Sequence, residues 1–74
     1  MLKVGDMIEL SEYGLKVTEN KYFLKKVGVI QEIKGPTHFK FNYIIQWFGV
    51  SDHRLAISDH PKRDLKLFLT NQKQ

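Results

Sequence analysis

Seventy-four residues with a net charge of +4 and no cysteine make one small domain that has neither disulfides nor cysteine-based zinc sites. A chain this short buries only about 60% of its unfolded surface, so the core must be dense in aromatics or helped by self-association. No apolar stretch approaches the roughly 20 residues of a membrane span. The start, MLKVGDMIEL, has charges at Lys3, Asp6 and Glu9 and no signal-peptide core, which predicts a soluble protein not exported by a cleaved signal.

Val4-Gly5-Asp6 is a turn-like entry to a short strand over Met7–Leu10, with Ile8 and Leu10 on one face. Ser11 to Lys26 is long and punctuated by Gly14 and Asn20. Its apolar residues Leu15, Val17, Tyr22, Phe23 and Leu24 predict a small irregular hairpin packed over one end of the core. Val27–Ile33 reads as the second strand, where Gly28 suggests a bulge or a close backbone approach. Gly35-Pro36 predicts a turn, with a connection of about five residues to an antiparallel partner.

That partner, FKFNYIIQWF over 39–48, organises the chain. Phe39, Phe41, Tyr43, Ile45 and Trp47 share one face, and Lys40, Asn42, Ile44, Gln46 and Phe48 the other. Period-two alternation over ten residues marks a half-buried strand, and a helix would scatter these aromatics around its circumference. Gly49–His53 predicts a turn, and Arg54–Ser58 a short strand with Leu55 and Ile57 on one face. Ser58–Asp64 predicts a polar turn, with one helical turn starting at Pro61. Leu65–Leu69 is the last strand, with Leu65, Leu67 and Leu69 inward and Lys66 and Phe68 outward. Residues 70–74 form a fraying tail. Five short strands separated by turn signals predict an all-β fold, a single domain over 1–74 whose sheet curls and closes into a five-stranded barrel.

The run VGDMIEL, a long loop, KKVGVIQEI, a turn, FNYIIQWF, a turn, RLAI, a polar crossing and DLKLF resembles the Src-homology-3-like (SH3-like) small barrels. It is similar in particular to the very small versions in tailed-phage genomes, especially phages of cyanobacteria. The residues that carry the likeness are Val4-Gly5-Asp6, Gly28, Ile30, Ile33, Trp47, Asp64, Leu65 and Phe68, over about residues 3–69. The resemblance implies the barrel and a phage origin, hence the host cytoplasm or the virion as location, and no activity. The chain departs from the signalling barrels: it lacks an ALYDY-type first loop, and Phe48 follows Trp47 where they carry a second Trp, so polyproline binding is not implied. Lys25-Lys26-Val27-Gly28-Val29-Ile30 also slightly resembles the basic-glycine element of KOW modules, which contact RNA or protein.

Ser51-Asp52-His53-Arg54 is echoed by Ser58-Asp59-His60-Pro61, and two Asp-His pairs suggest a metal or acid–base site. An extended Arg54–Ser58 separates the two histidines by up to about 20 Å, too far to converge on one metal. Both triplets are therefore expected to serve as turn residues, bonding their own backbone. His38 adds no recognisable spacing. No GxSxG elbow, phosphate-cradling loop or HExxH helix is present. The expectation is a protein that is not an enzyme, with no cofactor, metal or small-molecule substrate.

Binding remains. Ile44, Phe48 and Phe68 fall on outer faces and Tyr13, Tyr22 and Phe23 lie in the long loop, so Tyr13, Tyr22, Phe23, Phe48 and Phe68 are the candidate partner-binding residues. The first reading is a module that docks on a protein or on a second copy of itself. The charge offers another: residues 1–37 hold six Lys against five acids, residues 38–74 six Lys/Arg against three. Lys25, Lys26, Lys62, Arg63 and Lys66, gathered on one face, would bind nucleic acid through phosphates with weak sequence preference.

Overall fold

The computed structural model describes residues 2–37 and 40–68. Among them β1 (Met7–Leu10), β2 (Gly28–Thr37), β3 (Lys40–Trp47), β4 (Ile57–Pro61) and β5 (Leu65–Leu67) form one antiparallel sheet, ordered β4-β3-β2-β1-β5. The alternation in the sequence decides which face is buried. Ile8 and Leu10 point inward from β1, and Tyr43, Ile45 and Trp47 from β3. Ile30 of β2 lies opposite Ile45 and is also buried. Ile8, Ile30 and Ile45 are the fully buried centre, completed by Leu2, Leu10, Phe23, Tyr43, Trp47 and Leu65. Each such side chain contributes roughly 1.5–3 kcal/mol on leaving water. Phe39 and the side chain of Phe41, expected on this face, lie outside the described residues, as do His38 and Leu69.

Gly28 makes the close approach its position suggested. A Cβ there would sit 2.6 Å from Ile45 Cγ2 and 2.8 Å from the Gln46 carbonyl oxygen. Gly28 pairs with Trp47 at this point of the β2–β3 ladder.

The chain departs from the sequence reading in five places. Gly35-Pro36 is not the turn but part of β2, at a register shift between Lys34 and Thr37. Proline has no N–H for the ladder, so it sits where the ladder is irregular. Pairing continues to Thr37 opposite Lys40, which leaves two residues between the strands instead of about five.

The strand expected at Arg54–Ser58 starts only at Ile57. The Asp52 carboxylate accepts from the Arg54 backbone N–H at 3.0 Å, and the Leu55 N–H donates to the Asp52 carbonyl at 2.8 Å. These bonds hold Arg54 and Leu55 in the turn, so Ser58, Asp59 and His60 lie in β4 rather than in a turn. Pro61 caps a 3₁₀ turn, Lys62–Asp64, at the place where a helical turn was expected.

The long connection is not a hairpin. Ser11 caps α1 (Glu12–Leu15), its Oγ accepting from the Gly14 N–H at 3.1 Å, and a 3₁₀ helix follows over Thr18–Phe23. Of its five apolar residues only Phe23 is buried.

At the end of the chain, Leu67 is exposed and Phe68 half-buried, the reverse of the expected alternation. β5 is a three-residue edge strand whose core contact ends with Leu65.

The barrel is not closed: among the described residues β4 pairs only with β3, and β5 only with β1. The sheet nevertheless curls. Laid flat, four spacings of about 4.8 Å would part β4 and β5 by about 19 Å. The four Cα steps from Pro61 to Leu65 reach at most about 14 Å, so the short 3₁₀ turn forces the two edges toward each other.

Candidate functional site

Pairing β4 against β3 puts Ser58 opposite Ile45 and His60 opposite Tyr43. Both partners face the core, so Ser58 and His60 do too. The result is a polar cluster inside the molecule: Asn20, His60 and Asp64 are 3%, 3% and 5% exposed. Buried polar groups need partners, and here they supply one another. The Trp47 indole N–H donates to Ser58 Oγ at 2.9 Å. Ser58 Oγ lies 2.6 Å from His60 Nε2. A hydroxyl has one proton and two lone pairs, so the bond from Trp47 leaves Ser58 Oγ able to donate to Nε2 or to accept from it, and the imidazole tautomer sets the direction. Nδ1 faces Asp64 Oδ2 at 3.6 Å, longer than a hydrogen bond. Asn20 Nδ2 donates to the same Asp64 Oδ2 at 3.2 Å and to the Gly14 carbonyl at 2.9 Å.

Aromatic packing closes the cluster. Phe23 stacks on Trp47 with ring centres 4.8 Å apart, and both present faces or edges to the His60 ring at 5.3 and 5.6 Å. Burial pushes the His60 pKa below its usual value, although Asp64 and Asp59 pull the other way. The lowered pKa favours the neutral imidazole.

The sequence Ser58–His60–Asp64 has the atom order of an acyl-transfer relay. Its serine oxygen, however, faces the core and is held by the Trp47 N–H. The arrangement joins five elements of the fold. α1 completes it: the Ser11 N–H donates to the Asp64 carbonyl at 2.8 Å, and Ser11 Oγ donates to the Arg63 carbonyl. Gly14 packs so closely on Asp64 that a Cβ would overlap the Asp64 carbonyl oxygen.

This cluster fixes the helical connection on the sheet, and the connection forms one wall of an open cleft of about 430 Å³. Tyr22 and Lys26 line one side; residues 49–52 and Leu55, the turn after β3, line the other. The Lys26 stem crosses within 3.6 Å of where a Gly49 Cβ would be. Tyr22 is turned outward because Phe23, its neighbour, is turned inward. Phe48 stands exposed beside Gly49.

The residues singled out from sequence divide accordingly. Tyr13, Tyr22 and Phe48 are exposed, each about half. Phe68 is half-buried at the sheet edge. Phe23 is a core residue and cannot serve as an outer contact, because its ring is sandwiched into the cluster. The basic residues are carried by three separate elements. Lys25 and Lys26 follow the first 3₁₀ helix, Lys62 and Arg63 lie in the second, and Lys66 is on β5 opposite Glu9. Arg63 lies over the Tyr13 ring at 4.7 Å.

Sequence reading missed the cluster of Asn20, Ser58, His60 and Asp64 and the cleft residues Val50, Asp52 and Leu55. No sequence signal marked them: alternation read from Ile57 sets Ser58 and His60 on the outer face, whereas Ile57 is the exposed residue and His60 the buried one. Among the described residues, no three His, Cys, Asp or Glu side chains are placed to hold a metal, and no helix is long and apolar enough to cross a membrane. Compared with protein-family models, curated proteins and solved structures, the chain matches none.

Proposed function

We propose that the chain is a non-enzymatic interaction module of Src-homology-3-like build, of phage origin as its sequence resemblance implies, that docks on a protein through the cleft. The strand order, the long connection between β1 and β2 and the 3₁₀ turn between β4 and β5 support that build. The observation that carries the docking reading is the pairing of a concave site with exposed aromatics. Tyr22 lines the cleft at 48% exposed and Phe48 borders it at 49%, and Val50 and Leu55 supply half-buried apolar walls. Aromatics that stay rigid and half in water are the usual anchors of protein contacts.

The second reading is nucleic-acid binding. It is favoured by Arg63 over Tyr13 beside Lys62, a stacking platform next to two cations. Light scattering across salt concentrations, with and without a mixed DNA/RNA oligonucleotide, separates the two. The docking module keeps the same mass with oligonucleotide at every salt concentration. A mass that rises with oligonucleotide at low salt and falls back at high salt would overturn it in favour of phosphate binding.

A further inference from the structure

The cleft also carries information about what enters it. The two segments that border it are residues 18–26 and 49–55. Asp52 and Arg54 neutralise each other across 3.2 Å, and that pairing holds the Asp52 carboxyl below its usual range. What is left is Lys21, Lys25 and Lys26 against Glu19. Among the described residues, none of these three lysines forms an ion pair. Lys26 itself lines the cleft, and Lys21 Nζ stands 5.3 Å from the centre of the Tyr22 ring. A concave, partly apolar site thus has Lys26 in its lining and Lys21 beside its Tyr22 wall, facing an Asp52 already matched by Arg54.

We infer that the partner segment is an acidic peptide with an apolar anchor, the anchor seated between Tyr22, Val50 and Leu55 and its carboxylates facing Lys21 and Lys26. This rests on the docking reading above. Charge complementarity selects the acidic segment. The lining favours peptide over nucleic acid: Tyr22, Val50 and Leu55 offer apolar surface to a side chain, and Lys62, Arg63 and Lys66 are not among the residues that line the cleft.

The test uses the full chain, labelled with ¹⁵N, and three synthetic peptides. Each has a central Leu-Phe; the flanks are four Glu, four Gln or four Lys. The Glu peptide is expected to shift the amides of Tyr22, Lys26 and residues 50–55. It should bind about tenfold more tightly than the Gln peptide at low salt, the advantage expected of two or three exposed charge pairs. Salt should erase that advantage and leave the Gln peptide's affinity unchanged. Lys26→Gln should lower affinity for the Glu peptide and spare the Gln peptide. Equal binding of all three peptides at these amides would overturn the acidic assignment while the docking reading stands. If no peptide shifts the cleft amides but a mixed oligonucleotide shifts those of Lys62, Arg63 and Lys66, both fall.

Discussion

The chain contains the triplet Ser-Asp-His twice, and the two copies have opposite fates. Ser51-Asp52-His53 lies in a turn in water, where Asp52 bonds the next residues but one and His53 is exposed. Ser58-Asp59-His60 lies in β4, where Ser58 and His60 face the core and only Asp59 is exposed. Nothing within the triplet distinguishes them. What differs is the pairing partner. Ser58 and His60 lie opposite Ile45 and Tyr43, whereas among the described residues no strand pairs with 51–53. The same three side chains are turn formers in one place and a buried hinge point of the fold in the other, because register, and not residue type, sets their solvent.

Alanine substitution at the two histidines should sharpen this contrast most. His60→Ala removes a ring packed against Phe23 and Trp47 and strips Ser58 of one of its two partners. It should cost about 2–4 kcal/mol in urea unfolding, while His53→Ala stays within about 0.5 kcal/mol. Equal effects would break the comparison.

Gly14→Ala comes next. The added Cβ overlaps the Asp64 carbonyl and must push α1 off the second 3₁₀ turn, a loss of about 1–3 kcal/mol. Asn20→Ala leaves one side of the Asp64 carboxylate unmatched and should cost about 1–2 kcal/mol. Combined with Asp64→Ala in a double-mutant cycle, it should be clearly non-additive, because the two share one bond.

The smallest effect is the pH dependence. The His60 pKa is lowered on folding, so the unfolded chain takes up the proton first. Stability should therefore be full above about pH 6.5 and fall as pH drops through that value toward the depressed folded pKa. Stability curves from pH 8 to 5 should flatten in His60→Gln and keep their slope in His53→Gln. A loss of stability on raising pH through this window would contradict the assignment.

Much of the sheet is legible in the sequence. The odd residues of 43–47 and the even residues of 8–10 alternate strongly enough to specify which face is buried, and Gly28 marks the tight contact between strands. The boundary of β4 is not legible, since one Asx bond at Asp52 delays pairing by three residues. Neither is the helical form of 11–26. Ser11 is a good cap, but what holds the two short helices is their docking on Asp64 and His60, distant in sequence. The candidate site fails to show for the same reason. Tyr22 and Lys26 reach the turn after β3 only because Phe23 and Asn20, next to them, are buried under β4 and its 3₁₀ turn.

The central claim is that the buried cluster holds the helical connection in place and so builds the cleft. Amide hydrogen exchange in the Asn20→Ala protein tests this most directly. The account predicts faster exchange at Leu15, Lys16 and Lys26, whose N–H groups bond within the connection, and unchanged exchange in the β2–β3 hairpin around Ile30 and Ile45. Unchanged exchange throughout the connection would show that it stands without the cluster and would contradict the claim.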